Sequence, residues 1–252
     1  MMLRPLVLAA CLGVCGCKSF FPAPSPMASV FDPLPAQKPA KCLVVLLPGA
    51  GDTAETFRKE GFVEAIQSSG AAADVVAANA TLGYYLRGNA AQQIETDVVA
   101  PLRTRGYGQI WVVGISMGGF GSLHYAELFP AHVDGILALA PFLGDKSLGE
   151  EIRNAGGLEK WTPDEAAPVT EENYQRQLWS WLHNTVTGKQ KGPAIYLGYG
   201  DQDGLGAQDS VLGAALPKDH VFGAPGGHDW PPWRALLQQF LKSPEFQRAC
   251  TP

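Results

Sequence analysis

The chain has 252 residues, of which 46% are hydrophobic and 17% charged, and its formal net charge is −5. Disordered chains are poor in apolar residues and rich in charge, so this composition excludes that class. Nucleic-acid binders normally carry a basic excess, and the mild acidity argues against one. The length is typical of a single α/β domain with a large core.

The first 17 residues have the features of an export signal. Arg4 is the only charge before an apolar run over residues 5–16, and this run is shorter than the ~20 residues that a membrane-spanning helix needs. A basic start followed by a short apolar stretch is typical of a secretory signal. The run ends in the letters VCGC, which resemble a bacterial lipoprotein processing site. We therefore expect Cys17 to be lipidated.

Two alternatives stay open at this end of the chain. Cys11, in the letters LAAC, fits the processing pattern more closely but would leave an apolar core of only six residues. The other alternative is a plain secretory signal with incidental cysteines. A diacylglycerol and an N-acyl chain on Cys17 would anchor the protein stably, because this takes more than one chain. We then expect an exported protein of the bacterial cell envelope, on the periplasmic side or in the outer membrane. Lys18 follows instead of Asp, so nothing signals retention in an inner membrane.

Residues 18–40 contain six prolines and show no helical or strand period. This composition predicts a partly extended tether that holds the folded body, residues 41–252, away from the membrane. Removal of the signal leaves Cys17, Cys42 and Cys250. A Cys42–Cys250 bridge and two unpaired thiols are both compatible with the sequence, since pairing geometry cannot be deduced from it.

From residue 41 onward, short apolar runs alternate with segments of helical spacing. The sequence predicts strands over residues 42–47, 73–78, 109–115, 133–139, 193–199 and 220–222. It predicts helices over residues 53–69, 89–104, 116–129 and 231–241. Strands separated by helices indicate βαβ units, so we expect an α/β fold with a mostly parallel sheet of about six strands.

Residues 142–192 interrupt this rhythm. The segment carries three tryptophans, many charges and predicted helices around residues 147–154 and 171–183. Nearly fifty residues are too many for a simple connection, which favours a cap over a site. An ordinary crossover helix with additional surface residues is the alternative.

The clearest motif for chemistry lies at the end of the strand over residues 109–115. Gly114, Ser116 and Gly118 fit the pattern G-x-S-x-G between a strand and a helix, which is the context that a nucleophile elbow requires. The sharp turn would expose Ser116 at the carboxyl edge of the sheet. The helix N-terminus beneath it favours developing negative charge. We therefore predict that Ser116 is a nucleophile.

A serine nucleophile needs a base, and the base needs an orienting acid. The strand over residues 193–199 leads into the letters GDQDG, which place carboxylates at the same sheet edge as Ser116. We predict Asp203 as the acid, with Asp201 and then Asp145 as alternatives. The glycine-rich loop PGGHDW delivers His228 just before the final helix, and we predict it as the base. The other histidines, which are His124, His132, His183 and His220, are interpreted as structural.

Acyl transfer also needs hydrogen-bond donors for the oxyanion. One is predicted to be the backbone N–H of Met117, the residue after the nucleophile. The second is expected from the loop PGAGD after the first core strand, where Ala50 is preferred and Gly51 is second.

These segments resemble the α/β-hydrolase superfamily over about residues 41–245. The letters GISMGGFGSLHYAELFP, GYGDQD and GGHDWPPW stand where that family places its elbow, acid and histidine, and SMGG with the H-x-W…W ending resembles the esterase D-type branch. Two departures are Pro48, where the oxyanion loop usually begins with His, and the lack of the first two strands unless the tether supplies a fragment. The resemblance implies a three-layer fold with helices on both faces of the sheet. It also implies a serine hydrolase without metal or cofactor that acts mostly on small-molecule esters.

Rival functions stay open at this point. A peptidase or an acyltransferase would share the same triad, and a non-catalytic binding lipoprotein could use the same scaffold. The letters LLPGAGDTA match a dinucleotide fingerprint, but the following strand ends without an acid for a ribose hydroxyl. Tyr84, Tyr85 and the tryptophans of residues 142–192 could line an apolar acyl or aromatic pocket, or belong to the core.

Overall fold

The computed structural model describes residues 21–35, 40–163, 170 and 173–251. The predictions of an export signal and of lipidation on Cys17 concern residues outside this set. No helix within the described ranges is long and apolar enough to cross a membrane.

A seven-stranded sheet forms the centre of the molecule. Its strands are β1 (Ser29–Asp32), β2 (Cys42–Leu47), β3 (Ala73–Ala78), β4 (Gln109–Ile115), β5 (Gly135–Leu139), β6 (Ala194–Gly200) and β7 (Val221–Ala224). They lie in the order β1-β3-β2-β4-β5-β6-β7. β1 is antiparallel to β3, and the other neighbouring pairs are parallel. The prediction of a mostly parallel α/β sheet is therefore confirmed, with seven strands instead of about six.

The central strands are continuous apolar runs because both of their faces are covered. In β2, Leu43, Val45 and Leu47 pack into one hydrophobic cluster. Val44 and Leu46 pack into a second cluster on the opposite face. Strands buried in this way lose the polar and apolar alternation that marks a sheet with one wet face.

Eleven α-helices within the described part of the chain surround the sheet. One face packs against α1 (Ala54–Lys59), α2 (Phe62–Ser68), α10 (Trp230–Phe240) and α11 (Pro244–Cys250). The other face packs against α3 (Leu82–Leu86), α4 (Ala90–Gln93), α5 (Ala100–Arg103), α6 (Met117–Leu128), α7 (Lys146–Asn154), α8 (Tyr174–Val186) and α9 (Gly206–Gly213). The prediction of three layers is confirmed.

Two predicted helices differ in detail from the structure. The helix predicted over residues 53–69 is divided into α1 and α2 at Gly61, whose φ of 76° lies in the left-handed region that favours glycine. The helix predicted over residues 89–104 consists of α4, a π-helical segment over Ile94–Val99, and α5. The short helices α3, α9 and α11 were not predicted.

The prediction of a tether does not hold for residues 21–35. β1 adds an antiparallel edge strand to β3, and the side chain of Met27 is buried in the core. The backbone N–H of Leu34 donates to Asp74 Oδ1 at 2.8 Å. Four residues between prolines carry too little alternation to indicate a strand, and their pairing with β3 depends on contacts about 45 positions apart.

The structure contains the Cys42–Cys250 disulfide, with the two Cα atoms 5.4 Å apart. It joins the start of β2 to the end of α11, so it lies at the amino edge of the sheet. Of the two alternatives open in the sequence, the structure therefore has the bridge.

Residues 142–192 contribute α7 and α8 to the helical layer beside α6. The three tryptophans of this segment are buried in the core: Trp161, Trp179 and Trp181. Trp179 Nε1–H donates to the carbonyl oxygen of Leu143 at 2.9 Å. These tryptophans therefore pack the layer, and the cap stays a prediction.

Candidate active site

Ser116 occupies a sharp turn between β4 and α6. Its φ of 53° and ψ of −113° place a non-glycine residue in a strained region of backbone space. Three hydrogen bonds hold the turn. The N–H of Ser116 donates to the carbonyl oxygen of Leu139 at 2.9 Å, and the carbonyl oxygen of Ser116 accepts from the N–H groups of Phe120 and Phe142 at 3.1 and 3.0 Å. The surroundings therefore impose the strain on this one serine.

Two glycines of the motif are required by close packing. A Cβ on Gly114 would overlap the backbone of Gly118. A Cβ on Gly118 would overlap the carbonyl group of Leu47 at the end of β2. The G-x-S-x-G spacing thus allows α6 to begin directly against the sheet.

Asp203 and His228 form a close pair at the same edge of the sheet. His228 Nδ1 lies 2.9 Å from Asp203 Oδ2 and 3.1 Å from Oδ1. The Asp203 side chain is 0% exposed, whereas that of His228 is 34% exposed. The backbone N–H of Leu205 also donates to Asp203 Oδ1, at 2.9 Å. A buried carboxylate in this geometry fixes the imidazole orientation and leaves Nε2 as the nitrogen free for a substrate or a nucleophile.

The loop after β6 and the start of α10 position these two side chains. Asp203 follows the carboxyl end of β6, and its N–H donates to the carbonyl oxygen of Gly200 at 3.1 Å. His228 lies before α10, and its ring meets the ring of Trp233 edge to face with centroids 5.0 Å apart.

The two alternative acids have other contacts. Asp201 Oδ1 accepts the backbone N–H of Gly226 at 2.9 Å, so this side chain supports the loop that carries the histidine. Asp145 is the N-cap residue of α7, and its backbone N–H donates to Gln175 Oε1 at 2.7 Å. Among the three carboxylates predicted from the sequence, the one that contacts His228 is Asp203.

A cavity of about 500 Å³ brings the predicted site residues together. Its lining contains all five of them, together with four further residues: Ala50, Ser116, Met117, Phe142, Lys146, Asp203, Gly204, Leu205 and His228. Within the described part of the chain, the Ser116 hydroxyl makes no direct hydrogen bond with His228. Catalytic hydrogen bonds of this kind are often long until a substrate is bound.

The predicted oxyanion donors also face this cavity. Ala50 lies in the loop between β2 and α1, and Met117 is the first residue of α6. Within the described residues, neither backbone N–H has an acceptor in the protein. Two free N–H groups beside a serine, one of them at a helix N-terminus, are suited to hold a negatively charged oxygen.

The other four histidines have separate partners. The closest polar contacts of their Nδ1 atoms are His124 with Glu127 at 3.0 Å, His132 with Glu95 at 3.0 Å, His183 with the Leu158 carbonyl at 2.8 Å and His220 with the Ile195 carbonyl at 3.0 Å. None of these four residues lines the cavity that contains Ser116.

Four residues that line the cavity beside Ser116 were not predicted from the sequence. Phe142 follows the carboxyl end of β5, and this position was a signal that could have identified it. Gly204 and Leu205 adjoin Asp203, so the loop itself indicated them. Lys146 opens α7 and carried no signal in the sequence.

Asp209 is a further carboxylate near the site that the sequence did not indicate. Its side chain on α9 is fully buried, and within the described residues neither of its oxygens has a hydrogen-bond partner. Burial, together with the negative charge of Asp203, raises the pKa of Asp209 to about 9. Asp209 is therefore protonated and neutral at pH 7.

A second, larger cavity of about 670 Å³ adjoins the first. The two cavities share Met117 and Phe142. Tyr85 lines the second cavity, whereas Tyr84 is 1% exposed and belongs to the core. Within the described ranges, no group of three His, Cys, Asp or Glu side chains could hold a metal ion.

A family model described as the α/β-hydrolase fold matches residues 85–208. The match includes Ser116 and Asp203 and ends before His228. Together with the strand order and the layers, this shows that the chain has the α/β-hydrolase fold. A comparison with curated proteins finds no significant match.

Solved structures with the same fold include several esterases and hydrolases. Est1E from Butyrivibrio proteoclasticus is 16% identical and has a TM-score of 0.58, with 85% of this chain and 93% of that one covered. An S-formylglutathione hydrolase from Staphylococcus aureus is 17% identical with a TM-score of 0.56, covering 81% and 80%. A ferulic acid esterase is 18% identical with a TM-score of 0.53, covering 88% and 98%. At these sequence identities, the likeness shows a shared fold and nothing about function.

Proposed function

We propose that this protein is a serine hydrolase that cleaves carboxylic esters through an acyl-enzyme. The observation that carries the proposal is the arrangement around one cavity. A strained serine at a strand-to-helix turn lines the same cavity as a histidine whose Nδ1 contacts the buried Asp203. The esterases and hydrolases of the same fold support the reaction class without identifying a substrate.

In the proposed mechanism, His228 Nε2 takes the proton of the Ser116 hydroxyl as its oxygen attacks the ester carbonyl. Asp203 accepts the Nδ1–H, which fixes the tautomer and stabilises the imidazolium that forms. His228 then gives its proton to the leaving alcohol oxygen as the C–O bond breaks. A water molecule repeats the two proton transfers on the acyl-enzyme, releasing the acid and restoring Ser116.

The backbone N–H groups of Ala50 and Met117 would bind the oxyanion of both tetrahedral intermediates. Each such donor is typically worth about 3–4 kcal/mol in the transition state. Because these donors belong to the backbone, the absence of a histidine at Pro48 does not remove them.

A peptidase or an acyltransferase would use the same side chains, and the choice among them depends on the leaving group and the acceptor. A non-catalytic binding protein would need no strained serine and no buried acid on the histidine. The backbone strain at Ser116 therefore favours the catalytic proposals.

We also propose that the protein is exported and anchored through a lipid on Cys17, with no nucleic-acid partner. The Cys42–Cys250 disulfide supports export, because such bridges persist mainly in oxidising compartments. A Cys17→Ser substitution should abolish the lipid mass on the N-terminal peptide in mass spectrometry, whereas Cys11→Ser should leave it in place. Lipid retained in the Cys17→Ser protein would contradict this assignment.

The first experiment uses a fluorophosphonate probe, which reacts covalently with activated serines. The protein lacking residues 1–17 would be treated with the probe, and the adduct mapped by mass spectrometry. We expect labelling at Ser116, loss of labelling in Ser116→Ala, and unchanged labelling in Ser147→Ala, a matched change at an exposed serine. A folded protein that the probe fails to label would overturn the proposal of a catalytic serine.

A further inference from the structure

The larger cavity is lined mostly by apolar side chains, and its polar lining residues are His124 and Thr170. Four helices, α3, α4, α6 and α8, contribute to it. Its larger side chains include Tyr85, Leu86, Phe120, Tyr174, Met117 and Phe142, of which Met117 and Phe142 also line the cavity beside Ser116. A cavity of about 670 Å³ lies within the range of ~300–1,000 Å³ that holds drug-sized ligands. It is therefore large enough for a bulky group of a substrate.

Aromatic rings form a large part of the cavity wall, and His124 is stacked on Phe120 with ring centroids 5.5 Å apart. The Phe120 ring meets Tyr85 edge to face at a centroid distance of 6.2 Å and Tyr174 at 5.7 Å. The Tyr85 hydroxyl is buried beside Gly121, so this residue presents its ring to the cavity. Faces and edges at these angles suit the insertion of another aromatic ring.

Part of the apolar wall of the cavity is exposed to solvent. Leu86 lines it and is 39% exposed, although large aliphatic side chains are usually buried. A bound apolar group would cover this side chain, which adds to the favourable free energy of binding.

The positions of Met117 and His228 decide which half of an ester this cavity would take. His228 must protonate the leaving oxygen, so the alcohol lies on the side of the histidine. Met117 supplies the N–H for the oxyanion, and it lines the larger cavity, whereas neither His228 nor Asp203 does. The group that enters from Met117, away from the histidine, is the acyl group.

We propose that the cavity lined by Tyr85, Phe120 and Tyr174 is the acyl-binding site, and that the substrates are esters of bulky arylalkanoic acids. This inference rests on the proposed serine hydrolase activity. It adds the half of the substrate that is recognised and the chemistry of that half.

The test compares 4-nitrophenyl acetate, hexanoate and 3-phenylpropanoate, which share one leaving group. With the purified full chain, we expect kcat/KM for the phenylpropanoate to exceed that for acetate by at least about tenfold. This is the usual discrimination that an apolar pocket gives for added carbon atoms. The phenylpropanoate should also exceed the hexanoate.

Filling the cavity should remove this preference. Leu82 and Leu86 line it and are not fully buried, so Leu82→Trp and Leu86→Trp add volume there without disturbing the core. We expect the ratio of kcat/KM for the phenylpropanoate to kcat/KM for the acetate to fall at least about tenfold in these variants. Leu128→Trp, at a residue that is 52% exposed at the end of α6, is the matched control and should change neither value.

Fluorophosphonate labelling of each protein separates failure of this inference from failure of the proposed function. No labelling and no hydrolysis of any ester would overturn the hydrolase itself. Normal labelling with acetate as the best ester, or an equal loss on all three esters in both filled variants, would overturn the acyl site alone. A kcat/KM for the hexanoate that equals or exceeds that for the phenylpropanoate would overturn the aryl assignment.

Discussion

Loss of the Cys42–Cys250 bridge is expected to destabilise the protein strongly without changing its chemistry. The bridge spans 208 positions of the sequence. In the loop-closure model, cross-linking a loop of that length lowers the entropy of the unfolded chain enough to stabilise the fold by about 5 kcal/mol at 25 °C. Since domains have total stabilities of ~5–15 kcal/mol, this is a large share.

The measurement is urea denaturation followed by tryptophan fluorescence, on the protein with and without a reductant. Reduction breaks the bridge but leaves the buried sulfur atoms in place, whereas a Cys42→Ala/Cys250→Ala variant also removes packing at two fully buried positions. We expect a loss of several kcal/mol on reduction and an equal or larger loss in the double variant. The reductant should have no effect on the double variant, which serves as the control.

The reactivity of Ser116 should not depend on the disulfide as long as the protein stays folded. Cys42 begins β2, whereas Ala50 and the cavity follow its carboxyl end, so the length of the strand separates them. The rate of fluorophosphonate labelling per folded molecule should therefore change less than twofold. A loss of stability below about 1 kcal/mol would refute the loop-closure reasoning, and a large fall in labelling of folded protein would refute the separation of bridge and site.

Three further predictions concern the site and its surroundings. Asp203→Asn should lower kcat by about 10⁴-fold with the fold retained, and Asp201→Asn should lower it less than tenfold; equal losses in steady-state kinetics would contradict the assignment. In the fold Asp209 keeps its proton up to about pH 9, whereas the unfolded chain releases it near pH 4, so this group reduces stability as the pH rises between those values. Urea denaturation should therefore show that Asp209→Asn raises the free energy of unfolding by at least about 1 kcal/mol more at pH 8 than at pH 5. A rise that is the same at both pH values would contradict the burial of an ionisable group at this position. Gly118→Ala should lower the free energy of unfolding by ~1–3 kcal/mol or more, because its Cβ would overlap the backbone of β2. Gly223→Ala has open space around the added Cβ and should lower it by less than about 1 kcal/mol.

The sequence by itself determined the α/β class, the central strands and the serine elbow. The bounds of β2, β3 and β4 agree with their predictions because strands buried on both faces are continuous apolar runs, which are local signals. The elbow is equally local, since the sharp turn and the close approach of α6 demand glycines at fixed positions around Ser116.

The tertiary structure alone decided which distant residues meet. It pairs β1 with β3, joins Cys42 to Cys250, and brings Asp203 instead of Asp201 to His228. The sequence ranked Asp203 above Asp201, but only the folded loop shows that Asp203 contacts His228 and that Asp201 contacts Gly226. Hydrogen bonds join the loop after β6 to the loop before α10: the Gln202 N–H donates to the Gly226 carbonyl oxygen, and the Gly226 N–H donates to Asp201 Oδ1.

The lining of the apolar cavity beside the site was even less predictable from the sequence. Its walls come from α3, α4, α6 and α8, and the sequence left open whether Tyr84 and Tyr85 belong to a pocket or to the core. In the folded chain Tyr84 is buried in the core, whereas Tyr85 lines the cavity. Local patterns determine which elements form and where a strained turn lies, whereas the shape between elements depends on side chains that meet only when the chain is folded.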